Sequence, residues 1–244
     1  MTSVAVVTGA SSGIGRATAQ RLLREGWHVA ALARRGDKLR TLAPAAQGRL
    51  LPLPADVTDE LELRAAVAEI RSWRPGVQAV VASAGDFFAR PMTATTAAEF
   101  ERMWRLTVEA KFLLVRELLP LLEVATGAAG QPGPRRAIIH VGSLAAFQDF
   151  GNESAYASAM HGVRGLARSQ DAELRGKGIR VAMLAPGLVK TELTERSGFS
   201  ARALEQALTP DAVAASIVFL IETIRAGGYI PEILHLPGAG ATFA

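Results

Sequence analysis

The chain has 244 residues, 49% of them hydrophobic and 20% charged, with a formal net charge of +4 and no cysteine. That length supports one large α/β domain with a substantial core, and the missing cysteines exclude disulfides and thiolate metal sites. The apolar runs are short and interrupted, which excludes a membrane span, and His28, His140, His161 and His235 show no metal-ligand spacing. The mild charge and the short basic pairs Arg34-Arg35 and Arg135-Arg136 argue against a nucleic-acid partner. The first strand begins at once with no basic-then-apolar leader before it, so a cytoplasmic location is expected.

Residues 4–16 (VAVVTGASSGIGR) organise the rest. A short apolar run ends in small residues and a helical pattern follows, which reads as strand, tight turn, helix. Gly9 can turn the chain, Gly13 lets backbone approach a ligand, and Gly15 lets helix pack on strand. The helix N-terminus offers free N–H groups and a positive dipole end, a site for pyrophosphate.

Further strands are expected at 28–33, 50–55, 77–81, 137–141, 179–185 and about 230–236, and helices at 60–71, 97–124, 154–175 and 211–225. Asp59 is read as a helix cap, and Pro210 suits a first helical turn. Along 97–124 the apolar period places Trp104, Val108, Phe112, Val115 and Leu119 on or near one face. Residues 126–134 read as a glycine/proline loop, and no repeat or second domain is visible. Strands alternating with helices predict a doubly wound parallel sheet that binds ligands at its carboxyl ends.

In dinucleotide folds the end of the second strand meets the adenosine ribose. An acidic residue there binds the 2′-hydroxyl, whereas an Arg accommodates a 2′-phosphate. Counting from Gly26, the acidic position falls on Ala33 and Arg34 follows, so NADP(H) is expected over NAD(H).

The glycine spacing is followed by Ala84-Gly85, Ser143, Tyr156 and Pro186-Gly187-x-x-x-Thr191. In this order the motifs resemble the short-chain dehydrogenases/reductases along essentially the whole chain. The resemblance implies a Rossmann-type single domain over 1–244, of about seven strands with helices on both faces. It implies nucleotide contacts from Gly9, Ser11, Ser12, Gly13, Ile14 and Gly15, with Asp56 and Val57 at the adenine. Ala84 and Gly85 lie against the cofactor, though the family's two preceding asparagines are absent. Pro186, Gly187 and Thr191, with the backbone of Val189, clamp the nicotinamide carboxamide. Tyr156 donates a proton to the substrate carbonyl oxygen while Ser143 hydrogen-bonds it.

Two positions depart from the family pattern. Met160 stands where the Tyr-x-x-x-Lys box has its lysine, and Thr107 where an Asn of the long helix completes a proton path. Residues four apart share a helix face, so a lysine would bring its ammonium to the phenol and lower a pKa of about 10; methionine brings no charge. Lys111, one turn after Thr107, Arg164, one turn after Met160, and His161 beside it are candidates for a substitute cation, though each reads first as a surface or packing residue.

The expected activity is reduction of a small apolar ketone or aldehyde with a weakened relay, the alternative being an NADP(H)-binding sensor or scaffold. Residues 192–208, carrying Phe199, are expected to form a substrate lid, and Phe87, Phe88, Phe147 and Phe150 to line an apolar pocket. A homodimer or homotetramer paired through the two long helices is implied by the resemblance.

Overall fold

A computed structural model describes residues 3–43, 46–123 and 135–238. Its strands are β1 (Val4–Thr8), β2 (His28–Ala33), β3 (Leu50–Pro54), β4 (Ala79–Ala82), β5 (Arg136–Val141), β6 (Ile179–Pro186) and β7 (Glu232–His235). All pair in parallel in one sheet of order β3-β2-β1-β4-β5-β6-β7. Every residue of β1, β4 and β5 is buried, as central strands covered on both faces require, and this is why apolar residues dominate them, with Thr8, Arg136 and His140 the polar ones. The order runs from β1 to β2 on one side and to β4 on the other. The crevice of the fold therefore opens beyond the carboxyl ends of β1 and β4.

The helices are α1 (Gly13–Arg24), α2 (Gly36–Arg40), α3 (Glu60–Trp73), α4 (Ala97–Trp104), α5 (Ala110–Glu123), α6 (Ser154–Leu174), α7 (Glu192–Glu195), α8 (Ala201–Gln206) and α9 (Pro210–Arg225). Successive strand side chains point to opposite faces, so Val6 and Ile138 join one core with α3, α5 and α6, while Val7 and Ile139 join another with α1 and α9. Asp59 caps α3 as expected, accepting from the N–H groups of Leu61 at 2.9 Å and Glu62 at 3.1 Å. Pro210 opens α9 behind the cap Thr209. No helix among the described residues is long and apolar enough to cross a membrane.

The expected element bounds fall within two residues of the observed ones, with one exception that matters. The expected helix 97–124 is broken by a π-helical turn over Arg105–Glu109. A π-turn inserts one residue into the helical period and rotates everything after it. The buried stripe runs through Met103, Thr107, Lys111, Leu114 and Leu118, while Trp104 is 42% and Phe112 47% exposed rather than facing the core. The short helices α2, α7 and α8 are additions to the sequence-based expectation. Val124 and the expected loop 126–134 lie outside the described residues.

Candidate active site

At the head of α1, Ser12 is the N-cap residue but makes no capping bond, which leaves the first N–H groups of the helix available to an anion. Gly9 and Gly13 have φ of +67° and +53°, which glycine adopts without strain. A Cβ on Gly9 would lie 3.0 Å from the Ala84 nitrogen, and one on Gly15 would lie 2.5 Å from the Gly9 oxygen. The glycine loop is thus pressed onto the turn after β4. Thr8 fixes that turn as well, its Oγ1 accepting from the N–H groups of Ser83 and Ala84, both at 3.1 Å. The expected contacts omitted Thr8; its signal was a polar residue closing an apolar strand.

Beyond this loop opens a cleft of about 940 Å³, of the size that holds a cofactor. Gly9, Ser11, Ser12, Gly13, Ile14 and Gly15 form one wall, and Arg34, Asp56, Val57, Ala84, Gly85 and Thr191 also line it. An uncapped helix end above a cradle too tight for a Cβ fits the pyrophosphate of a dinucleotide.

At the end of β2 the two arginines differ. The Arg34 side chain is 77% exposed, with Nη1 4.0 Å from Asp56 Oδ2. Arg35 turns back onto the loop, donating to Ser11 Oγ at 3.0 Å, Ser12 Oγ at 2.7 Å and Glu192 Oε2 at 2.8 Å. Lys38 Nζ donates to Glu192 Oε1 at 2.7 Å. Lys38 and Arg35 together hold the Glu192 carboxyl down to about 2. Counting to the first basic residue after β2 found Arg34 and missed Arg35. Asp56 Oδ1 accepts from the Thr58 N–H at 2.9 Å and hydroxyl at 2.7 Å. Burial pushes this carboxyl up, but the Thr58 hydrogen bonds and the Arg34 charge outweigh it and leave it below the ordinary value.

At the other end of the crevice, Ser143 follows β5 and accepts from the Ala145 N–H at 3.2 Å, while Tyr156 sits in the first turn of α6. Burial pushes the Tyr156 phenol up to about 12; a hydrogen bond with Ser143 pulls it back and the Glu153 charge adds to the rise. The phenol therefore keeps its proton throughout the neutral range. Phe87 meets Tyr156 edge-on at 4.8 Å, and Phe199 stacks on Phe87 at 5.5 Å. Segment 192–208 thus reaches the ring that meets the tyrosine, and Ser143 and Tyr156 lie outside the lining of the open cleft.

Pro186, Gly187 and Val189 also lie outside that lining. Gly187 N–H donates to the His235 carbonyl at 2.9 Å. Val189 bridges Leu208, and its carbonyl accepts from the Thr194 hydroxyl at 2.6 Å, tying the two ends of the segment together. Thr191 caps α7, and its Cγ2 would touch a Cβ on Gly13 at 3.1 Å. Phe88, Phe147 and Phe150 pack on the core instead, with Arg90 over the Phe88 ring and Arg164 over that of Phe147.

Met160 is buried on α6, and Thr107 is fully buried in the π-turn with its hydroxyl 3.5 Å from Met103 Sδ. Arg164 is committed to Glu232 by bonds of 2.9 and 3.1 Å, and His161 is exposed. Lys111 corrects the expectation of a surface or packing residue. It is 3% exposed, on the buried stripe of α5, and its Nζ donates to the Ala84 carbonyl at 2.8 Å. Burial lowers its ammonium to about 8.

Seven parallel strands with a glycine cradle at the reversal of strand order define a Rossmann-type fold. Within that class the chain belongs to the short chain dehydrogenase family of oxidoreductases, which it matches over residues 3–200. It is 31% identical over 201 residues to levodione reductase of Leifsonia aquatica, across 80% of this chain and 72% of that protein. Among solved structures it is similar to the 3-ketoacyl-(acyl-carrier-protein) reductase of Brucella melitensis complexed with NADH (TM-score 0.86, 25% identity, 97% of each chain). It is also similar to a metagenomic short-chain oxidoreductase in complex with NADP (TM-score 0.79, 29% identity, 96% of each chain).

Proposed function

We propose that this protein is an NADP(H)-dependent reductase of a small apolar ketone or aldehyde, working as one domain with Tyr156 as proton donor and 192–208 as lid. The observation that carries this reading is the Ser143–Tyr156 pair, protonated and covered by Phe87 and Phe199 at the mouth of β5. Bound NADPH would supply the hydride. Tyr156 would release its proton to the carbonyl oxygen, and Ser143 would donate a hydrogen bond to the same oxygen as charge builds there. The aromatic stack keeps water from the phenol.

In this reading Met160 and Thr107 hold the positions that the family gives to Lys and Asn. A phenol held at about 12 is a poor base but still an acid toward an alkoxide, so reduction outpaces alcohol oxidation. Arg34, Arg35 and Lys38, with Ala33 in place of a carboxylate, support the 2′-phosphate of NADP(H). Gly9 to Gly15, Asp56, Val57, Ala84 and Gly85 would hold the rest of the nucleotide, with Pro186, Gly187, Val189 and Thr191 at the carboxamide. The exposed Trp104 and Phe112 support pairing of two copies through the long helices.

NADPH oxidation with a panel of activated ketones and diketones tests the reading. Turnover that Tyr156→Phe abolishes is the expected result. The neutral Met160 beneath the pair favours one competitor, a nucleotide-binding protein without turnover. Activity that arises only in Met160→Lys would give the site to that competitor.

A further inference from the structure

Buried Asp171 is paired with Arg180, and His140 Nε2 shares a hydrogen bond with Gln170 Oε1. Lys111 differs. It is a buried cation with no carboxylate in salt-bridge range among the described residues, and one of its three donors is used, on the Ala84 carbonyl at 2.8 Å. An unpaired buried charge is unfavourable unless the site it serves repays it. Its location supplies the reason. Ala84 lines the nucleotide cleft, has its N–H held by Thr8, and is pressed by Gly9 from the cleft side. Lys111 braces the same turn from behind. α5 and α6 share one core, and α6 brings only Met160 to it four residues after Tyr156.

We propose that Lys111 is the positive charge of this site, delivered from α5 where α6 has none, holding the Ala84-Gly85 turn against bound nucleotide. The inference rests on the reading of Ser143, Tyr156 and Met160 given above. Lys111 is a positioning residue, acting through the turn. With its ammonium at about 8, the cation is present below that pH and lost above it. Other groups on the surrounding elements leave that interval clear. His140 of β5 is held at about 4, by burial first and then by the Lys111 charge, against the opposing Gln170 hydrogen bond. Tyr156 of α6 stays protonated to about 12, and burial raises Glu153 beside it. α3 meets α5 through Glu60 and Arg64, which are engaged by Arg116 and Glu117 at the surface.

The test is NADPH affinity of the full chain, read by nucleotide fluorescence from about pH 6.5 to about pH 9.5, in the natural protein, Lys111→Met and Lys111→Met/Met160→Lys. The natural protein should weaken about tenfold as pH rises through about 8. Lys111→Met should begin about tenfold weaker, show no such fall, and unfold at the natural temperature or above it. The double variant should regain affinity. A natural protein whose affinity is flat across pH 8 overturns the proposal without any variant, as does a Lys111→Met that binds like the natural chain. A lysine serving packing alone would lower the unfolding temperature when removed and would not be rescued from Met160. If binding behaves as expected but no form reduces a ketone, the reductase reading fails and Lys111 keeps its role.

Discussion

Positive charge is spent in opposite ways at the two ends of the crevice. At the adenosine end Arg34, Arg35 and Lys38 cluster on half-exposed ground, and Glu192 bridges Arg35 and Lys38. At the tyrosine end a single ammonium is sealed behind Ala84 with no counter-ion among the described residues. Exposed charges near water are cheap to place and individually weak, so several are needed to hold a phosphate. A buried charge is strong over a short distance and unfavourable to the fold, so one suffices and its removal should help stability while harming binding. One end recognises by number, the other by burial.

The largest expected effect lies at the buried end. Tyr156→Phe should lower ketone reduction by about 10²–10⁴-fold while leaving NADPH affinity unchanged, because it removes the proton and keeps the ring that meets Phe87. Steady-state rates beside a fluorescence titration check this; a matching loss of affinity would mean that Tyr156 serves binding rather than proton transfer.

Next is the contribution of Lys111 to stability. Its ammonium lies at about 8 in the fold against 10.5 in the unfolded chain, so between these values the unfolded chain binds more protons. Stability from this group should therefore rise with pH across that window, by about 3 kcal/mol in full. Denaturant melts at several pH values should show that rise in the natural protein and not in Lys111→Met. His140 works toward the acid side. With its imidazole at about 4 in the fold and 6.5 ordinarily, the stability it contributes is complete above 6.5 and lost as pH falls through about 4.

The difference between the ends also explains what the amino-acid sequence made legible. The sheet, the glycine cradle and the Ser143–Tyr156 pair follow from local patterns, an apolar strand, a small-residue turn and a helix start, so they could be placed within two residues. Arg35 was missed because neighbouring arginines look alike in sequence, and only the folded chain shows which one turns back onto Ser11 and Ser12. Lys111 is among the substitute cations that the sequence offers, but its charge ranks it there as a surface or packing residue. The apolar period of 97–124 runs through Trp104 and Phe112, which the fold leaves 42% and 47% exposed, while Lys111 lies on the buried stripe with Thr107 and Leu114. α7 and α8 are four and six residues long, and their caps Thr191 and Ser200 carry the only local signal they have.

At the exposed end Arg35→Ala should weaken NADPH about tenfold and NADH far less, since the guanidinium that spans Ser11, Ser12 and Glu192 would be the one facing a 2′-phosphate. Equal losses for the two nucleotides, measured by parallel titrations, would remove the NADP(H) assignment and leave Arg35 as a brace of the glycine loop.

The smallest effect separates the two ends most directly. Without nucleotide, Glu192 occupies the space between Arg35 and Lys38 as a carboxylate held at about 2, so it is charged at every working pH. A 2′-phosphate must share or take those donors from it. Glu192→Gln should thus tighten NADPH by a few-fold and leave NADH unchanged, and the gain should fade as salt is raised, because half-exposed pairs are worth little and are screened. Lys111 should behave otherwise, its effect on NADPH affinity surviving the same salt, because ions do not reach a charge buried behind Ala84. If salt erased both effects alike, the contrast between a counted and a buried charge would not hold for this crevice.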